Sequence, residues 1–391
     1  MLGQAVTTGG NAALGGLSRK RLSPVVVAAL TVLAASAFVG VRWAVVGGGD
    51  ISTFVVAGSD YVSPDAGVAV QRGHGYDGQF AYRLALDPTA LARRDHGVTI
   101  DSPLRLQRIT YPVLSFLASG GQEGAVPTAL VVVNVLGLGL LALLSALLAR
   151  DAGRKPMAGL LLVGFFGFCT SLGRDLTEIT TVTFLVAGVL AWRRSRPGFA
   201  VLAFSAAVLS RESALLVYAA FVLGQLPGTP RRTWGLALLP PLSFAGWQAV
   251  CAAATGNVPL LSSGGKNLGL PFSHLVPAAS GWFADATRLD RAGLITSGQL
   301  IALGFLVAAA GLSLRRSRAP RGVRAAWVVA LSLVVCLSGN VWVGPADFRT
   351  AAELHATSAL LLLDSRLSLR LPAVVMTAAL VVTALFRVTS V

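Results

Sequence analysis

The sequence predicts an all-α fold, a polytopic transmembrane helix bundle, on three grounds. Its 391 residues are 54% hydrophobic and 13% charged, with a mean hydropathy of +0.71, outside the range of soluble domains. Apolar runs close to the length needed to cross a bilayer recur along the chain. Basic residues gather in the loops at alternate ends of those runs, following the positive-inside rule. In a soluble protein the net charge of +15 would suggest a nucleic-acid partner. The loop clusters account for most of it, so membrane lipids are the expected surroundings and no nucleic acid is expected.

Eleven crossings are expected, starting from a cytoplasmic N-terminus: 24–46, 127–149, 156–172, 176–192, 199–209, 213–226, 234–254, 297–314, 324–343, 353–363 and 371–386. Residues 1–23 read as a disordered cytoplasmic tail and 24–391 as one transmembrane domain. The basic stretch from Leu17 to Lys20 resembles a signal-peptide n-region. The apolar run from Pro24 to Val46 is much longer than a signal h-region, so it reads as a permanent span.

Residues 199–226 read either as one tilted helix or as two short ones broken at Ser210-Arg211-Glu212-Ser213. The break keeps Arg315, Arg316, Arg318, Arg321 and Arg324 on the cytoplasmic side and is favoured. With it, Arg19-Lys20-Arg21, Arg150/Arg154/Lys155, Arg193/Arg194/Arg196, Arg231-Arg232 and Arg366/Arg370 are cytoplasmic too. The carboxylates do the opposite: all except Asp151 and Asp364 fall on the outer side, which points to an outward working surface.

Three outer loops follow, 47–126, 255–296 and 343–352, and the first is long enough to carry amphipathic helices. Trp43, Trp192, Trp234, Trp282, Trp327 and Trp342 fall near span ends and read as interfacial anchors. Cys169, Cys251 and Cys336 sit inside apolar runs without metal-like spacing and read as small hydrophobes.

The residues able to do chemistry concentrate in the first loop. Asp77 lies in the glycine-rich turn Gly73-His74-Gly75-Tyr76-Asp77-Gly78-Gln79-Phe80. A partly desolvated carboxylate there would have a raised proton affinity, suited to accepting a proton from a hydroxyl. The glycines would let backbone approach a ligand. The competing role is a cap for a helix beginning near Gln79. Arg105 and Arg108, three apart, would share a helical face and clamp a phosphate, or pair with Asp101 and solvent.

Arg211-Glu212 lies between apolar runs too short to cross alone, either lining a wet cavity or bracing a bend as a mutual pair. Arg174-Asp175, with Glu178 one turn on, would favour a helix N-terminus or contact an acceptor. Arg349 reads as a snorkelling arginine or a further phosphate ligand. His74 has no His or Cys nearby, so no metal ligand is assigned.

At these residues the chain resembles the GT-C superfamily of integral-membrane glycosyltransferases. More narrowly, Tyr76-Asp77-Gly78-Gln79-Phe80-Ala81-Tyr82, then Asp87-Pro88, then Arg105-Leu106-Gln107-Arg108-Ile109-Thr110-Tyr111-Pro112 looks like a bacterial branch linked to cell-surface glycopolymer formation. Leu209-Ser210-Arg211-Glu212 is similar to an L-x-R-E break in that branch, and the layout is similar to the eukaryotic GPI mannosyltransferases. The resemblance covers 24–226 closely and the remainder by topology.

It implies an inverting transfer of sugar from a polyprenyl-phosphate donor to a cell-envelope glycan or glycolipid acceptor, on the extracytoplasmic face of the plasma (inner) membrane. The role of catalytic base or metal-proximal group would fall on Asp77, and donor-phosphate binding on Arg105, Arg108, Arg211 and Arg349. His74, Tyr76, Gln79, Gln107, Tyr111, Asp175 and Glu212 remain as substrate-binding candidates. The chain departs from the pattern in having one Asp in place of an adjacent acidic pair, and Ala81 where the branch has an aromatic. The first departure leaves a divalent metal open, with no cofactor certain. Two other classes fit the sequence: a transporter or flippase for lipid-linked glycans, and a non-catalytic envelope-assembly scaffold.

Overall fold

The computed structural model describes residues 22–228, 230, 233–262, 268–287, 291–315, 317–338 and 347–389. It is 72% helix and 3% strand, the all-α class expected. Arg231, Arg232, Arg288, Asp290, Arg316 and Trp342 lie outside the described residues, as does the proposed tail through Arg21.

The chain opens with α1 (Pro24–Val45), capped by the Ser23 hydroxyl, which accepts from the Val26 amide. The first loop holds two tiny sheets, β1 (Ala57–Gly58) beside β2 (Val70–Gln71) and β3 (Arg94–Asp95) beside β4 (Val98–Thr99), separated in sequence by α2 (Gly78–Leu86). A short 3₁₀ turn, Pro103–Gln107, leads into α3 (Thr110–Ser119), and α4 (Val126–Asp151) returns through the bundle. Next come α5 (Leu160–Val163) and α6 (Gly167–Gly173), bent against each other by 67°. They are followed by α7 (Glu178–Arg193), α8 (Pro197–Ser210) and α9 (Ser213–Gln225). The segment 199–226 is therefore two helices, interrupted at Arg211-Glu212 as the charge distribution favoured.

The second half comprises α10 (Trp234–Ala237), α11 (Leu239–Thr255), α12 (Leu275–Thr287), α13 (Arg291–Ser313), α14 (Arg321–Val335), α15 (Ala352–Leu363) and α16 (Arg370–Arg387). The expected loop 255–296 thus contains a helix of its own, and α13 starts inside it. A short run of apolar residues between Gly/Ser/Pro clusters, 275–287, was too brief to read as an element.

Each of the eleven apolar stretches overlaps a helix, although 156–172 is broken between α5 and α6, α14 ends at Val335 and residues 339–343 of the ninth stretch lie outside the described residues. Among the described residues five helices are long and apolar enough to cross a membrane, or six with the bent α5–α6 pair counted as one span. The outer faces of α1, α8, α11, α13 and α16 expose Leu33, Leu202, Leu242, Leu312 and Leu385, a surface that lipid solvates and water does not. Two helices run through the core: α7, almost wholly buried, and α15, buried at every residue. They can be short because neighbours cover them on all sides.

Trp327 departs from its expected role. It is buried, and its indole N–H donates to the Ser358 hydroxyl at 2.8 Å. Trp43 and Trp234 are exposed, as interface anchors would be. Cys169 and Cys251 are buried free thiols and Cys336 is half-buried.

Candidate functional site

Asp77 precedes α2, and the amides of Phe80 and Ala81 bond to its backbone oxygen. Its carboxylate makes no capping bond, so the capping role is not the one it plays. The side chain turns instead to arginines. Oδ1 accepts from Arg105 Nη1 at 2.8 Å and Oδ2 from Arg349 Nη2 at 3.0 Å, with Arg108 Nη1 3.8 Å away.

The turn is positioned by backbone packing. A Cβ on Gly58 would fall 2.2 Å from the Gly75 nitrogen, and one on Gly78 would fall 2.3 Å from the Arg174 carbonyl oxygen. These glycines bring the loop against other backbone, where the sequence suggested approach to a ligand. Gln79 completes the turn: its side-chain oxygen accepts from the Gly58 amide and its nitrogen donates to the His74 carbonyl.

Arg105 and Arg108 point to the same side, as i and i+3 residues of a 3₁₀ turn do. Arg105 is in the 3₁₀ turn and Arg108 ends it, and both reach Asp77. The segment is pinned by three contacts: the Ile109 amide to the Leu209 carbonyl, Thr110 Oγ1 to the Ala206 carbonyl, and the Trp247 indole N–H to the Leu106 carbonyl. Arg105 also forks onto Asp101, with both bonds 3.0 Å, and lies over the Phe80 ring. Arg108 forks onto Glu212 at 3.1 and 2.7 Å.

Arg211 and Glu212 therefore do not brace each other. Arg211 turns inward, 3.4 Å from Glu178 and 3.9 Å from Glu353, and its Nε and Nη1 make no hydrogen bond among the described residues. Arg349 is no snorkelling side chain: it binds Asp77, Tyr76 Oη at 3.1 Å, and Glu178. Glu178, whose side chain is 1% exposed, is the buried counter-ion of two arginines. It also stands in the first turn of α7, the helix-terminus place expected for it.

The network therefore joins Arg105, Arg108, Arg211 and Arg349 to Asp77, Asp101, Glu178, Glu212 and Glu353. Burial alone would push the Asp77 carboxyl up. The charges of Arg105, Arg349 and Arg108 outweigh it and hold the group well below the usual carboxylate range. This reverses the raised proton affinity expected from desolvation, because nothing local to Asp77 signals that three guanidiniums meet there.

Asp77, Arg105, Arg108, Arg349, Phe80 and Asp175 line a small cavity of ≈ 30 Å³. Asp175 is fully buried, with left-handed backbone (φ 51°), and its Oδ2 has no hydrogen-bond partner among the described residues. Tyr111 Oη stands 3.5 Å from its Oδ1. Burial pushes the Asp175 carboxyl well above the usual carboxylate range.

Three candidates serve the fold and do not line the cavity. Gln79 is buried in the turn, and Gln107 accepts from Gln248 at 2.9 Å. Tyr111 is buried, donating to the Leu130 carbonyl and accepting from Asn134. Their polarity marked them for substrate, but in a greasy chain it satisfies buried backbone and amide groups. His74 pairs with exposed Asp60 outside the cavity. Tyr76, in contrast, stands within the site, its ring under Arg174 at 4.3 Å and Arg349 at 5.2 Å.

Glu178 and Glu353 were absent from the expected site set; the signal for them is an ionisable residue at the head of an apolar run. A divalent metal does not fit this arrangement. Both Asp77 oxygens are held by guanidiniums, and among the described residues no three His, Cys, Asp or Glu side chains are grouped as ligands. Compared with known proteins, the chain matches no family model, no curated protein and no solved structure.

Proposed function

We propose that the protein is a multi-pass membrane glycosyltransferase, with eleven crossings, that moves a sugar from a polyprenyl-phosphate donor to a hydroxyl on a cell-envelope glycan or glycolipid. The working face is the outer surface of the plasma membrane. The reading is carried by one observation: a carboxylate bracketed by three arginines at one cavity, two from the first loop and one 272 residues away. Arginine forks suit a phosphate leaving group, whose charge grows as the glycosidic bond breaks.

The cavity is too small for a phosphate while Asp77 occupies Arg105 and Arg349, so donor binding exchanges one oxyanion for another at those forks. The exchange frees the Asp77 oxygens and removes the charges that hold its proton affinity down. The acceptor oxygen then bonds to the anomeric carbon and its proton passes to Asp77. The bond from that carbon to the phosphate oxygen breaks, and its electron pair leaves with the lipid phosphate. Arg211, buried with two donor nitrogens unused among the described residues, is the reserve of positive charge behind the forks.

The test is incubation of the purified protein with polyprenyl-phosphate sugars and measurement of released lipid phosphate. Asp77→Asn in correctly inserted protein is expected to slow release by about 10²–10⁴-fold. Unchanged release by the variant would remove Asp77 from the role of base. Transport of lipid-linked sugar without release by the wild type would replace the transferase reading with a flippase, and neither transport nor release would leave a scaffold.

A further inference from the structure

One buried carboxyl at the cavity takes no part in the arginine network. Asp77, Asp101, Glu178, Glu212 and Glu353 each pair with an arginine, whereas Asp175 makes no ion pair among the described residues. It is fully buried, and it lines the cavity together with Asp77, Arg105, Arg108 and Arg349.

Backbone packing fixes its place. Gly78, the residue after Asp77, lies so close to the Arg174 carbonyl that a Cβ there would fall 2.3 Å from the oxygen. The two segments that carry Asp77 and Asp175 are thus mounted on each other. Asp175 itself holds a left-handed backbone (φ 51°), which a residue with a side chain adopts rarely and most often where function constrains it.

The two carboxyl oxygens differ. Oδ1 stands 3.5 Å from the Tyr111 hydroxyl, which also donates to the nearer Leu130 carbonyl at 2.9 Å. Oδ2 has no hydrogen-bond partner among the described residues. Leaving a buried polar atom unpaired is costly, and at a cavity wall such an atom marks the place of a ligand group. Burial favours the neutral carboxyl here, against the opposing field of Arg42. A neutral carboxyl both donates and accepts, which is the complement of an alcohol.

The wall therefore has two chemistries side by side: guanidiniums suited to an oxyanion and a carboxyl suited to a hydroxyl. A sugar phosphate presents those two groups on adjoining atoms. The cavity of ≈ 30 Å³ seats one hydroxyl-sized group beside the forks.

We propose that Asp175 binds a hydroxyl of the donor's sugar, an inference that rests on the polyprenyl-phosphate reading of the site. Asp175 is then the residue that tells a sugar-bearing lipid phosphate from a bare one.

The test titrates full-length protein in non-ionic detergent, without acceptor, against undecaprenyl phosphate and against a panel of undecaprenyl-phosphate hexoses and pentoses. The wild type is expected to bind its preferred sugar-bearing lipid at least about tenfold more tightly than the bare one. Asp175→Ala should lose most of that preference without weakening its hold on bare undecaprenyl phosphate, a split that a purely structural role would not produce. Asp175→Asn, which can donate to and accept from a hydroxyl, should keep the preference. If Asp175→Ala does not fold, Asp175→Gly, suited to the left-handed backbone, carries the test. A preference that survives in Asp175→Ala or Asp175→Gly, or is lost equally in Asp175→Asn, would overturn the proposal. Equal binding of bare and sugar-bearing lipids by the wild type would overturn it while leaving the phosphate forks standing; binding of neither would overturn both readings.

Discussion

Around Asp77, Arg105, Arg108, Arg211 and Arg349 meet five carboxylates. Across the Tyr76 ring lies Arg174, and beyond it Arg42 donates to the Arg387 backbone carbonyl. The same side chain serves opposite ends in the two places. In the first, the forks of Arg105, Arg108 and Arg349 are already engaged, so an incoming anion must displace a resident carboxylate, and binding is an exchange. In the second, the arginines turn to backbone and ring: Arg42 donates to the Arg387 carbonyl and Arg174 lies over Tyr76. The number of arginines in a site therefore says less about anion affinity than the number of carboxylates packed with them.

The contrast can be broken by substitution. Removing a carboxylate from the paired network should be severe: Glu178→Gln leaves Arg349 and Arg211 with too little counter-charge in a buried place. It is expected to destabilise the protein by about 3–5 kcal/mol, measured as loss of unfolding free energy in detergent. A smaller loss would mean that water already reaches the network. Gly78→Ala tests the mount and leaves the charges untouched. Its Cβ would fall 2.3 Å from the Arg174 carbonyl oxygen, so the loop must shift, at a cost of about 1–3 kcal/mol. Activity should fall along with stability; full activity would mean that the loop is not seated as described.

Acid sharpens the comparison further. Asp77 titrates below its ordinary value of 3.8, so its ion pairs stabilise the fold fully above that pH and are lost as the pH falls toward the folded value. The expected result is a stability difference between wild type and Asp77→Asn that is constant from pH 8 to about pH 5 and closes below about pH 4. A difference that closed near neutrality would place Asp77 outside the field of its arginines.

The helices were legible in the sequence because apolar runs and basic loop clusters are local signals. The break at Arg211-Glu212 was legible too, since an ion pair cannot lie in lipid unattended. What sits opposite what was not legible. Asp77 and Arg349 are 272 residues apart, and nothing in either neighbourhood announces the other. The same gap explains the reversed proton affinity of Asp77, because desolvation can be guessed from a local sequence and three distant charges cannot.

Gln79, Gln107 and Tyr111 show a related gap: buried polar groups that hold a loop together have the same residue types as those that hold a ligand. Arg42 and Arg387 passed unremarked because an arginine at the end of an apolar run ordinarily snorkels to water. Only the packing of α1 against α6 and of α6 against α16 turns them inward together.

The glycine mount at Gly58, Gly75 and Gly78 bears on how such a chain could drift. Because the Asp77 loop is seated by backbone against backbone, the exposed side chains between Ser59 and Arg72, such as Pro64, Asp65 and Gln71, are free to diverge without unseating it, while Val62, Ala66 and Val68 stay in its core. Descendants could lose most recognisable similarity there and still present a carboxylate at the same place. Their kinship would be carried by the intervals between three residues that have no side chain at all.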